Sequence, residues 1–260
     1  MNASKRRSSR SVVHALPAVI LAGLCALAPR AAQAQSAAEP SLLYWANTLA
    51  DHVAPENNEY GSSPSYVFWA GVAGSSDYKS RTFCSTFVTN VLKQTYGLSS
   101  YHISTWFGST SPNAILYHDR IVQQVGFEQI WYIDEIAAGD VIAIKYPAGS
   151  MASGHVAIAA GAARPRIASY PYVSGTTQYE IAVVDSSNTG HGMTDSRRNP
   201  DGSWHPGVGK GLMRFYANSS GEIVGHTWSP QASATYYPNY VRAIAVGRVT
   251  TPYAERALPE

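Results

Sequence analysis

Residues 141–160 decide the fold class: Val141-Ile142-Ala143-Ile144-Lys145, then Tyr146-Pro147-Ala148-Gly149-Ser150-Met151-Ala152-Ser153-Gly154, then His155-Val156-Ala157-Ile158-Ala159-Ala160. The flanking runs are apolar, rich in β-branched residues and too short for a helix. A turn of Pro, Gly and Ser separates them, which is the pattern of buried strands. Similar segments follow at 179–185, 212–216, 222–228 and 241–246, between turns rich in Gly, Pro, Asn and Asp. Upstream the period changes. Residues 42–53 place Leu43, Ala46, Leu49 and Ala50 at helical spacing, and Phe83, Phe87, Val88, Val91 and Leu92 repeat it before a capping Gly97. A further helix is expected from Ser111-Pro112, a cap followed by proline at the first helical position. Its apolar face is Ile115, Leu116, Ile121, Val122 and Val125, and Gly126 ends it. Residues 56–80, rich in Gly, Ser and Tyr, predict loops with a short extended piece at 66–69. Helices first and strands afterwards predict an α+β domain with an antiparallel sheet.

The N-terminus changes what the composition means. The 260 residues are 45% hydrophobic and 14% charged, which excludes disorder over most of the length. Lys5, Arg6, Arg7 and Arg10 precede the apolar run 12–27 and the small-x-small site Ala32-Gln33-Ala34. That arrangement reads as a secretory signal peptide over 1–34, and the run is shorter than the ~20 residues of a spanning helix. An uncleaved anchor is the competing reading. The remaining organisation is then a leader and helix at 35–55, a catalytic domain at 56–249 and a tail at 250–260. Cleavage after Ala34 removes Lys5, Arg6, Arg7, Arg10 and Arg30 and no acid, so the charge of +2 becomes −3. No basic run lies beyond the first ten residues, and nucleic acid is not an expected partner. An exported protein with no integral membrane segment is expected. Of the two cysteines only Cys84 remains, so no internal disulfide can form.

A lone thiol in an oxidising compartment is buried and inert, paired between chains, or a nucleophile. Cys84 stands at the expected start of a helix, where unpaired N–H groups and the macrodipole favour a thiolate and suit an oxyanion. His155 follows Gly154 at the mouth of a strand and is the candidate base, ahead of the histidines in polar or mixed stretches. Asp185 ends the next strand, positioned to orient His155 or simply to start a turn. Beyond it, His191 or Arg197 is a candidate substrate contact. A metal site from Asp185, His191 and Asp195 lacks zinc-like ligand spacing, so neither metal nor cofactor is expected. Gly207, Gly209 and Gly211 read as a tight turn rather than a phosphate cradle.

These residues resemble the NlpC-type cell-wall peptidases of the papain-like superfamily. Phe83-Cys84-Ser85-Thr86-Phe87-Val88 is similar to their nucleophile helix, Ala138-Gly139-Asp140-Val141-Ile142 to their turn and strand, and Gly154-His155-Val156-Ala157-Ile158 to their histidine strand. Asp185 falls where their third polar residue ends the following strand. Tyr66-Val67-Phe68-Trp69-Ala70-Gly71 is similar to a segment whose tyrosine lies near the nucleophile. The chain departs from the pattern at Phe83, at Thr86 and in having Asp at the third position.

The resemblance implies a papain-like α+β fold, with N-terminal helices, one bearing the nucleophile, packed on an antiparallel sheet. It also implies an exported cysteine peptidase or amidase. Cys84, His155 and Asp185 would be its catalytic residues, and Tyr66, Tyr78, Ser85 and His191 its oxyanion or substrate contacts. Peptidoglycan stem peptides are the expected substrate. Ester, thioester or acyl-transfer chemistry on the same trio, or a secreted binding module without turnover, are the alternatives.

Overall fold

The computed structural model describes residues 41–250. The signal peptide and leader expected at 1–40, and the tail from 251, lie outside the described residues. The first helix, α1 (Leu42–His52), starts where Ser41 Oγ accepts from the Tyr44 N–H at 3.2 Å and buries Leu42, Ala46 and Leu49. Three short strands follow, β1 (Asn58–Tyr60), β2 (Tyr66–Phe68) and β3 (Lys79–Thr82), joined in the order β1-β3-β2 with β1 parallel to β3. Helix α2 (Cys84–Tyr96) ends at Gly97, whose φ of 62° is the left-handed cap glycine permits.

The next helix, α3 (Ser100–Phe107), has no counterpart in the sequence expectations and is held by a Ser99/His102 capping box. Helix α4 (Ala114–Val122) begins after Asn113, whose Oδ1 takes the Leu116 N–H at 3.1 Å, rather than at Ser111-Pro112.

The rest of the chain is sheet: β4 (Phe127–Ile130), β5 (Val141–Lys145), β6 (Gly154–Ala159), β7 (Arg164–Pro165), β8 (Thr177–Ser187), β9 (Gly207–Ala217), β10 (Ile223–Thr227), β11 (Tyr236–Pro238) and β12 (Ala243–Val249). Their order is β11-β10-β9-β8-β6-β5-β12-β4, with β7 paired to β8. Every pairing in this nine-stranded sheet is antiparallel. The sheet curls until its ends meet. Tyr132, just past β4, bridges Glu222, just before β10, and the Arg242 guanidinium, just before β12, stacks on Tyr237 of β11.

Both faces of the sheet are apolar. Val141, Ala143, Val156, Ile158, Val184 and Ala245 pack under the helices with Phe87, Val88, Val91, Leu92 and Ile121. The residues between them in sequence, Ile142, Ile144, Ala157, Ala159, Val183 and Val246, face a second core with Ile181, Met213 and Phe215 inside the curl. At ~1.5–3 kcal/mol for each fully buried large aliphatic or aromatic side chain, both faces drive folding. This is also why strands 141–145 and 155–159 read as continuous apolar runs instead of alternating.

The papain-like expectation is corrected here. Among the described residues four helices accompany twelve strands, and the architecture is one large antiparallel sheet plus a small one, not a helical layer resting on a modest sheet. Helices cover one face only, and the second core is built by the sheet itself. The resemblance rested on short motifs around three residues. Those motifs do not encode β4, β11 or the glycine-bearing half of β9, which supply the remaining sheet. The glycine run is itself corrected: Gly207, Gly209 and Gly211 lie within strand β9, paired to Ser187, Asp185 and Val183, and form no turn.

Candidate active site

Strand β3 delivers Cys84. Its last residue, Thr82, accepts a 2.8 Å hydrogen bond at its carbonyl from Ser186 Oγ on β8, so the start of α2 is tied beside Asp185. Cys84 is the first residue of α2, and Phe83 offers no side-chain cap. The first-turn N–H groups are therefore left for another acceptor. Cys84 is buried, 6% exposed.

His155 enters from β6. Its partner on β5 is Ile144, and the inner face of the curl continues through Tyr146. Gly154 precedes it at φ 147°, and a Cβ there would collide with the Ile144 carbonyl. His155 Nε2 lies 2.6 Å from Asp185 Oδ2, off the N–H direction, so the contact is an ion pair rather than a well-aligned hydrogen bond. Burial alone would push the His155 pKa down. The negative charge available at Cys84 and the Asp185 carboxylate outweigh burial and raise it to about 9.

Asp185 is fully buried and shared. Its Oδ2 also meets His191 Nε2 at 2.8 Å, and its Oδ1 lies 2.9 Å from the Arg197 guanidinium. Burial pushes this carboxyl up. Arg197, His191 and His155 together hold it well below the usual carboxylate range. Arg197 is clamped in turn by both oxygens of Asp195, at 2.9 and 2.7 Å, and by the Gly207 carbonyl at 3.1 Å. The glycines of β9 make room for this network, since a Cβ at Gly211 would strike Asp195 and His191. Trp228 closes the site. Its ring lies 4.1 Å from that of His191 and 4.7 Å from that of His155, and its carbonyl accepts from His191 Nδ1 at 2.8 Å.

The structure thus brings Cys84, His155 and Asp185 together, with Ser85 next to Cys84 in the first turn. His191 joins them as a buried support of Asp185 rather than as an open substrate contact. The other two candidates stand elsewhere. Tyr66 stacks on Phe68 and beneath Arg81, and Tyr78 stacks on His52. Tyr60 of β1 is a tyrosine within electrostatic reach of both Cys84 and Asp185. Burial first, then Cys84 and Asp185, raise its pKa, so its hydroxyl stays a proton donor. Only the parallel pairing of Tyr60 with Thr82 puts it there, and no local motif marks it.

His155, Asp185 and His191 are metal-ligating types within 4.8 Å of one another. Their facing atoms touch at 2.6 and 2.8 Å beside a guanidinium, so the charges of the cluster are already paired with one another.

Compared with known proteins, the chain is 32% identical over 229 residues to Uncharacterized protein R653 of Acanthamoeba polyphaga mimivirus, covering 81% of this chain and 97% of the viral protein. The chain belongs to the family of that mimivirus protein. No family model matches the chain, and no solved structure matches it.

Proposed function

We propose that the protein is an exported cysteine hydrolase of amide bonds, with peptidoglycan stem peptides as its substrate. The observation carrying this reading is Cys84 at the uncapped start of α2, next to a His155 whose Nε2 is 2.6 Å from the buried Asp185. Cys84 sulfur attacks the carbonyl, and the proton held on His155 passes to the leaving amine. Asp185 stabilises the imidazolium while His191 and Arg197 fix Asp185. The uncapped α2 N–H groups and the Tyr60 hydroxyl are the donors for the oxyanion. Water activated by His155 then releases the acyl group. Motif likeness to the NlpC-type peptidases supports the choice of substrate.

Purified protein and a Cys84→Ala variant incubated with peptidoglycan sacculi test the reading. New muropeptides from wild type alone are expected. Thiol-dependent turnover of ester or thioester substrates, with sacculi left intact, would replace amide by ester chemistry. Sacculus binding by both proteins without turnover would leave a binding module.

A further inference from the structure

The inner face of the sheet runs from His155 to a cation the mechanism above does not use. His155 pairs with Ile144, Tyr146 lies two residues further on the same face, and continuing the β5–β12 register places Arg242 opposite Tyr146. Two strand spacings and one two-residue step separate His155 from Arg242, about 12 Å between Cα atoms, with side chains on one face. The Arg242 guanidinium lies between two rings, 4.1 Å from the centre of Tyr146 and 3.5 Å from that of Tyr237. Tyr146 connects it to the nucleophile, because its hydroxyl senses both Arg242 and Cys84.

Rings on both sides fix the plane of a guanidinium and leave its N–H edge free, the edge that takes a carboxylate in a bidentate grip. Three arginines elsewhere are held by carboxylates: Arg81 by Glu59, Arg197 by Asp185 and Asp195, and Arg248 by Asp140. Among the described residues no carboxylate lies within ion-pair distance of Arg242, and its guanidinium makes no hydrogen bond. The half-buried Arg242 is thus a preorganised cation without a counter-ion, on the His155 face of the site.

We propose that Arg242 anchors an anionic group of the substrate, a carboxylate set a few bonds from the carbonyl that Cys84 attacks. The proposal rests on the hydrolase reading and names the substrate class of the same site. It makes acyl groups that carry a free acid the preferred substrates and disfavours their amides.

A matched pair of alkylating probes tests this without the natural substrate: iodoacetyl-β-alanine and its carboxamide. In each, the Cys84 sulfur forms the new C–S bond and iodide leaves with the C–I electrons. Labelling of Cys84 is followed by mass spectrometry, and free cysteine gives the intrinsic ratio of the two rates. The acid is expected to be favoured over the amide about tenfold more on the wild type than on Arg242→Gln, with Arg242→Lys in between. Equal ratios in wild type and Arg242→Gln overturn the anchor and leave the hydrolase reading standing. If neither probe labels wild-type Cys84 faster than free cysteine, the hydrolase reading falls and takes the anchor with it. Should the glutamine variant fail to fold, wild type alone decides. Its preference for the acid should collapse between ~10 mM and ~500 mM salt, and a salt-independent ratio overturns the proposal.

Discussion

Arg197 lies against the backbone of Gly209: a Cβ at that glycine would stand 2.6 Å from Arg197 Nε and 2.7 Å from its Cγ. Gly209 is also the β-ladder partner of Asp185, so the glycine leaves the space in which the guanidinium reaches the carboxylate.

Gly209→Ala should therefore act on the site from behind. Arg197 is fully buried and held by Asp185, Asp195 and the Gly207 carbonyl, so it cannot swing away cheaply. A loss of about 3 kcal/mol in denaturant unfolding is expected, together with slower alkylation of Cys84. An unchanged midpoint would show that the network does not need the glycine.

Asp185→Asn keeps the shape and removes the charge. His155 then loses one of the two partners that raise its pKa, and Arg197 loses a buried counter-ion. Turnover should fall by about 10²–10⁴-fold, and the alkaline edge of the pH–rate profile should move to lower pH. A profile that falls in height but keeps its edge would assign Asp185 to folding alone.

Stability should peak near pH 6.5. The folded pKa of His155 is raised to about 9, so its contribution is complete below 6.5 and is lost as pH climbs through 9. His226 works in the opposite direction. Burial, then Arg242, His155 and His191, depress it to about 3, so the unfolded chain binds more protons and stability falls as pH drops from 6.5 toward 3. Melting temperature measured from pH 3 to 9 tests both limbs, and Cys84→Ala should flatten the alkaline one.

His226→Phe should remove the acid limb. Both ring nitrogens of His226 are buried without a hydrogen-bond partner, between the rings of Phe215 and Tyr237. Replacing an unsatisfied polar ring by an apolar one should be neutral or stabilise by about 1 kcal/mol at neutral pH. A loss of several kcal/mol would mean that the imidazole has a partner it needs.

The strands at Val141–Lys145 and Gly154–Ala159 were legible because their β-branched apolar runs are too short for a helix and are separated by a turn of Pro, Gly and Ser. The helix at Cys84–Tyr96 was legible because its period and its Gly97 agree. Strand β11 was not, since Tyr236–Pro238 is three residues long and ends in proline. Nor was the first half of β9, because glycine weakens a strand locally and is favoured here by Asn58, Arg197, Asp195 and His191, which come from elsewhere in the chain. The Cys84, His155 and Asp185 grouping could be read from strand and helix ends. Tyr60, Trp228 and the buried role of Arg197 depend on pairings across the fold, which no short spacing records.

Asn58 acts as a substitute strand. Its side-chain amide donates to the Val208 carbonyl and accepts from the Val208 N–H, both at 2.8 Å, across 150 positions of chain. With the Ser186 bond to Thr82, it seats the segment leading into Cys84 on β8 and β9. Closing so long a loop is slow, and it cannot begin until synthesis has passed residue 208. A product ended before Val208 would lack both Asn58 bonds, and the segment leading into Cys84 would lose its seat on β9.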